Sequence, residues 1–158
     1  MIWSKRLGIS MIEILIAIGV IGLVLIVWML TLNSKQSENR DLKRISDIQT
    51  LRQAMAVIKS NNGFYDRSLC EADAVSACAA QKDSVLKTLL PQLANLNDPT
   101  TTAVSCVKPA TCQAGPCNYA FTTLTADTYE ILFYLEKGIS NFPEAGCYAA
   151  TPQGIRKY

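Results

Sequence analysis

Two kinds of side chain in this sequence can do chemistry: one isolated carboxylate and a set of thiols. Glu13 stands at the head of Ile14 to Leu30, seventeen consecutive apolar or glycine residues. Its carboxylate can pair with a cation, and at the edge of so apolar a run it needs one. An ionisable group deep in a membrane costs about 2.5–3.5 kcal/mol even on mild scales. The thiols are Cys70, Cys78, Cys106, Cys112, Cys117 and Cys147, an even set that lies wholly C-terminal to the apolar run. That distribution predicts disulfides made in an oxidising compartment, each adding about 2–4 kcal/mol to the folded state. Zinc is the weaker reading, because the spacings include no C-x-x-C and the chain has no histidine. The pairing stays open, with Cys70 to Cys78 favoured because it closes a short local loop.

The missing histidine also excludes His-based triads and His-ligated metals. Serine and lysine occur without a recognisable nucleophile motif, and no G-x-x-x-x-G-K-[ST] phosphate loop is present. The chain is therefore expected to be no enzyme and to need no cofactor. Fifteen basic and 13 acidic side chains give a formal charge of +2. Nothing in that balance recommends nucleic acid or an anionic surface as a dominant partner.

The elements that must position these groups begin with a long helix. At about 1.5 Å per residue, Ile14 to Leu30 extends about 26 Å, close to the hydrocarbon thickness of a bilayer. This predicts membrane insertion, with Lys5 and Arg6 on the cytoplasmic side. A secretory signal peptide fits poorly, since no small-residue A-x-A site follows the run. A plain signal anchor explains the span and its basic flank but has no use for Glu13. From Ser34 to Ser60, Leu42, Ile45, Ile48, Leu51, Met55 and Ile58 recur every three or four residues. Arg40, Asp41, Lys43, Arg44, Asp47, Arg52 and Lys59 fill the other, polar positions. With no Pro or Gly between Leu23 and Asn62, one helix from about Ser10 to Ser60 is predicted, about 75 Å long. Its second half is expected to lay one face on a head domain. A coiled-coil stalk is the alternative, but sustained heptads are lacking.

Asn61, Asn62 and Gly63 are a helix stop. Gln81 to Leu96 reads as a second helix, with Val85, Leu86, Leu89, Leu90 and Leu93 on one face and Pro91 bending or shortening it. Asn97 to Gly115 reads as a loop held by bridges. Asn118 to Thr123, Thr128 to Glu136 and Cys147 to Thr151 read as strands, the middle one placing Tyr129, Ile131, Phe133 and Leu135 on one face toward the long helix. The organisation expected is a leader over 1–8, a membrane helix over 9–32, its amphipathic continuation over 33–60, and a disulfide-stabilised head over 61–158.

The stretch KRLGISMIEI, residues 5–14, resembles the N-terminus of the type IV pilin and type II secretion pseudopilin family. There a short basic leader ends in Gly, and a Glu follows at the fifth residue of the processed chain. Ile9 stands where Phe or Met is commoner, and Leu30 where many members carry a helix-loosening proline. The resemblance implies cleavage between Gly8 and Ile9 by a prepilin peptidase and N-methylation of Ile9. It implies an α+β fold, a pilin-like ladle whose long N-terminal helix packs on a small head with a C-terminal antiparallel sheet of about three or four strands. Gly63 to Tyr65 resembles the Gly and Tyr that often close the long helix in pseudopilin-like proteins. Cleavage would remove Lys5 and Arg6, leaving 13 basic against 13 acidic side chains.

In mechanism, the new amine of Ile9 on one copy would reach Glu13 of the next. At about 4 Å and an effective dielectric near 20 the pair attracts by about 4 kcal/mol, much of it lost to desolvation, so it sets register more than cohesion. Gly19 and Gly22 would let neighbouring helices approach closely. The function implied is a structural subunit of a type IV pilus-like filament serving adhesion, twitching motility or DNA uptake. A secretion pseudopilin or minor pilin is the alternative within the family, and a signal-anchored extracytoplasmic binding domain the alternative outside it. The partners implied are other copies of the chain, the prepilin peptidase, an inner-membrane platform protein, assembly ATPases, and membrane lipid before assembly. The location implied is the cytoplasmic membrane first and the extracellular filament afterwards. By analogy with some pseudopilins, Asp73, Asp83, Asn97 and Asp98 are candidate calcium ligands, though not at EF-hand spacing.

Overall fold

A computed structural model describes residues 11–70, 73–82, 84–100 and 103–158. The fold is α+β. Helix α1 runs Met11–Asn62 and is followed by short helices and a four-stranded antiparallel sheet. The chain divides into two compact units, Met1–Gln36 and Ser37–Tyr158, and α1 contributes to both. In the first unit, α1 from Met11 to Met29 has a mean hydropathy of 2.8 and none of this window is buried.

The second unit begins with the amphipathic part of α1. Ile45, Ile48, Leu51, Ala54, Met55 and Ile58 are buried, as 3.6-residue periodicity dictates. The helix ends where Gly63, at φ +76°, donates its N–H to the Lys59 carbonyl at 2.9 Å. That left-handed conformation suits glycine, which lacks a Cβ.

The predicted helix over Gln81–Leu96 is broken. Among its described residues only α2, Val85–Leu89, and a single 3-10 turn, Leu93–Asn95, form. Ser84 caps α2 by accepting the Lys87 N–H at 3.3 Å, and its hydroxyl also bonds the Leu69 carbonyl at 2.8 Å. Pro91 forces the stop, since the residue before proline is driven out of the helical region; Leu90 sits at φ −125°, ψ 83°. A 3-10 stretch, Val75–Ala80, also forms where no element was expected. Within the predicted loop 97–115 lies a further short helix, α3, Pro109–Ala114, begun by a proline at its first turn and ended by Gly115.

Strands β1 Ala120–Leu124, β2 Tyr129–Leu135, β3 Gly146–Thr151 and β4 Gly154–Lys157 pair in chain order as an antiparallel meander. The first three coincide with the expected strands to within two residues. The fourth, too short and polar to signal itself, forms by hairpin return on β3, with Thr151 opposite Gly154.

Alternation along β2 and β3 feeds two separate cores. Tyr129, Ile131, Phe133, Leu135, Tyr148 and Ala150 join the α1 residues in the main cluster. Leu132, Cys147 and Ala149, on the opposite face, join Ala120 and Cys106, Cys112 and Cys117 in a second cluster. The sheet is thus buried on both sides, by α1 and by the segment that carries α3.

Candidate functional site

The apolar part of α1 presents the first candidate surface. Glu13 is exposed there and makes no ion pair with any described residue. Ile12 and Ile14 flank it, and large side chains such as Leu15, Ile21 and Trp28 are exposed along the rest of the segment. A Cβ built at Gly19 or Gly22 would meet nothing within 4 Å, so neither glycine is required by packing inside this chain. Gly8 and Ile9, the cleavage and methylation positions, lie outside the described residues.

A second constellation went unrecognised in the sequence. Asp41, Arg44 and Asp47, placed there among the positions off the apolar stripe, are buried, whereas Leu42, placed on the stripe, is 50% exposed. The Asp41 carboxylate accepts the backbone N–H groups of Glu136, Lys137 and Gly138 at 2.9, 2.8 and 2.9 Å. Arg44, completely buried, grips Asp98 with two guanidinium nitrogens at 2.7 and 2.8 Å and reaches Asp41 and Glu136 at 2.7 Å each. Arg40 donates to Glu136 at 2.8 Å. Tyr119 donates its hydroxyl to Asp47 at 3.2 Å, and Lys43 pairs with the same carboxylate at 2.9 Å.

These contacts shift the titrations. Burial works against the charge on Arg44, but hydrogen bonds and charge from Asp98, then Asp41 and Glu136, outweigh it and hold its pKa above the ordinary value. Hydrogen bonding from Arg40 and then Arg44 holds the Glu136 carboxyl below the usual range, against the opposing effect of burial. Burial, then Asp47, raises the Tyr119 phenol. The arrangement fastens α1 to the loop after β2 and to the Asp98 turn. A signal for it was present: positions 41, 44, 48, 51, 55 and 58 continue one stripe, if charged residues are admitted to it.

Asp98 is consumed by this cluster. It accepts from Arg44, from the Thr100 N–H at 2.9 Å and from the Thr100 hydroxyl, which leaves it no room as a calcium ligand. Asn97 spends its amide on the Ala94 carbonyl at 2.9 Å, and Asp83 lies outside the described residues. Asp73 lends its carbonyl to the Phe121 N–H at 2.8 Å.

All six cysteines form disulfides: Cys70–Cys78, Cys106–Cys117 and Cys112–Cys147. The first is the short local loop. The other two lie side by side, with the Sγ atoms of Cys106, Cys112 and Cys117 all within 4.8 Å of one another. Cys106–Cys117 joins the two flanks of α3 to each other and Cys112–Cys147 ties α3 to β3, so together they hold the second core closed. Across the described residues no buried side-chain polar atom lacks a partner.

No family model, no curated protein and no solved structure matches this chain. The functional reading therefore stands on residues and geometry.

Proposed function

We propose that this chain is a structural subunit of a type IV pilus-like filament, trimmed between Gly8 and Ile9 and polymerised through the apolar part of α1. The observation that carries the reading is Glu13: an exposed carboxylate at the start of a helical segment whose side chains from Met11 to Met29 find no cover among the described residues. A segment intended only as an anchor gains nothing from an acid there. A filament subunit does, because the amine freed on Ile9 of a neighbouring copy supplies the missing cation. Lipid tails are as apolar as neighbouring leucines, so moving this segment from bilayer to filament core changes its hydrophobic free energy little. Assembly and retraction can then be driven either way by separate ATPases acting through a membrane platform protein. The exported part meets the same reading from its side. Three disulfides and a doubly covered sheet suit a domain that works outside the cell.

The test is the intact mass of the protein recovered from the cell envelope. It is expected to begin at Ile9 with one added methyl, and Gly8→Val is expected to leave the precursor uncut. A wild-type mass that includes Met1 selects the signal-anchored binding domain instead. A processed protein confined to rare, short filaments selects the pseudopilin or minor-pilin reading.

A further inference from the structure

The two neighbouring disulfides lie on a backbone that other bonds hold in place. Cys106 donates its N–H to the Asn118 carbonyl at 2.8 Å, and Asn118 donates to the Val104 carbonyl at 2.8 Å, so the backbones around Cys106 and Cys117 are joined independently of their sulfurs. Cys147 is fixed in β3 opposite Tyr134. Cys112 lies in α3, its N–H bonded to the Lys108 carbonyl at 3.1 Å. The Cα atoms are 5.2 Å apart across Cys106–Cys117 and 5.4 Å apart across Cys112–Cys147.

We propose that, with these two bridges reduced, Cys106, Cys112, Cys117 and Cys147 bind one soft divalent cation, such as zinc or cadmium, in a closed four-sulfur site. Tetrahedral coordination at about 2.3 Å per Zn–S bond places sulfurs about 3.8 Å apart. That separation falls inside the 4.8 Å spread already set for three of the four. All four residues are buried, and their neighbours Ala120, Leu132, Ala149 and Val107 have apolar side chains; the Phe133 carbonyl oxygen lies 3.3 Å from the Cys112 Sγ. Four thiolates with no open position select a thiophilic ion held structurally, and hard cations such as calcium or magnesium are excluded.

The chemistry balances simply. Each S–S bond takes two electrons and two protons from a dithiol, which becomes its own disulfide, and each thiol that ligates the ion releases its proton. Metal and oxidation therefore compete for the same four sulfurs. The proposal is independent of the filament reading, since it concerns the second unit alone.

The experiment uses the full chain in detergent micelles with Cys70→Ser and Cys78→Ser, so that only these four thiols remain. The chain is reduced with dithiothreitol, which is then removed by anaerobic gel filtration, and cadmium is titrated in. The expected result is one cadmium per chain, with a thiolate-to-cadmium ultraviolet band and protection of four thiols from alkylation. Adding Cys147→Ser is expected to diminish the band and abolish the four-thiol protection. If reduction alone loosens the head, cadmium is expected to restore its near-ultraviolet circular dichroism. A folded reduced chain that binds no cadmium overturns the proposal. So does a band undiminished by Cys147→Ser, or a reduced chain that stays unfolded with cadmium present.

Discussion

Glu13 and Asp41 are both acids on α1, and they differ in almost everything that matters to a carboxylate. Asp41 is completely buried, accepts three backbone N–H groups and touches the Arg44 guanidinium. Glu13 is exposed among apolar side chains and has no ion pair with a described residue. Burying a charge is tolerable only when the protein satisfies it, so Asp41 is part of the fold. Under the proposed reading, the acid beside the membrane-length apolar run is met by a cation on another copy of the chain. The two halves of one helix thus differ: the second builds the head, and the first, in the function proposed, serves assembly.

Asp41→Ala should break this comparison most visibly. It leaves three N–H groups and one side of Arg44 without their acceptor, and should cost about 3–5 kcal/mol, read from denaturant unfolding of the detergent-solubilised chain. Glu13→Ala should leave that unfolding midpoint within about 0.5 kcal/mol of wild type. Equal losses would dissolve the distinction between the two acids.

Removing the disulfide that spans the longer loop, with Cys112→Ala and Cys147→Ala, should cost about 3 kcal/mol or somewhat more. Cys70→Ala with Cys78→Ala should cost less, because the loop closed is shorter: 8 residues of separation against 35. The reverse order would mean that the second core, and not loop closure, sets the stability of that region.

Gly138→Ala sharpens the role of the Asp41 anchor. Gly138 sits at φ +86°, and a Cβ there would lie 2.6 Å from the Pro143 carbonyl carbon, so the loop that supplies the N–H groups must shift. The expected loss is about 1–3 kcal/mol, with partial exposure of those amides to hydrogen exchange. Full protection of the amides at positions 137 and 138 in that variant would show that the loop is held elsewhere.

The smallest effect expected is in acid. Glu136 titrates below its ordinary range in the folded chain, so the stability it contributes is complete above its unfolded pKa of about 4.3 and is lost as pH falls through the lower folded value. Arg40 and Arg44, which face it, stay charged throughout. Unfolding midpoints should be flat from about pH 7 to 5 and fall below about pH 4, and Glu136→Gln should make that fall shallower.

Much of the architecture was legible because it obeys periodicity. The apolar run, the stripe Ile45–Ile48–Leu51–Met55–Ile58 and the alternation through β2 each follow one pattern over several turns or pleats. The buried charges were not legible, because the rule that places charge in solvent fails when partners from distant segments converge: Asp98 and Glu136 reach α1 only through the tertiary fold. Leu42 misled for the complementary reason, being apolar yet on the exposed side of the stripe. The pairing of Cys106, Cys112, Cys117 and Cys147 was equally hidden, since it depends on α3 folding back over the sheet. Local rules did reach Cys70–Cys78, where eight residues of separation bring the partners together unaided.

The central claim is that Glu13 serves assembly and not folding. Its most direct test is electron microscopy of material sheared from the surface of cells making either the wild-type chain or Glu13→Ala, with the subunit identified by mass. The account predicts wild-type filaments built of chains beginning at Ile9, and few or none from Glu13→Ala despite normal processing and membrane insertion. Filaments in normal number from Glu13→Ala would contradict it.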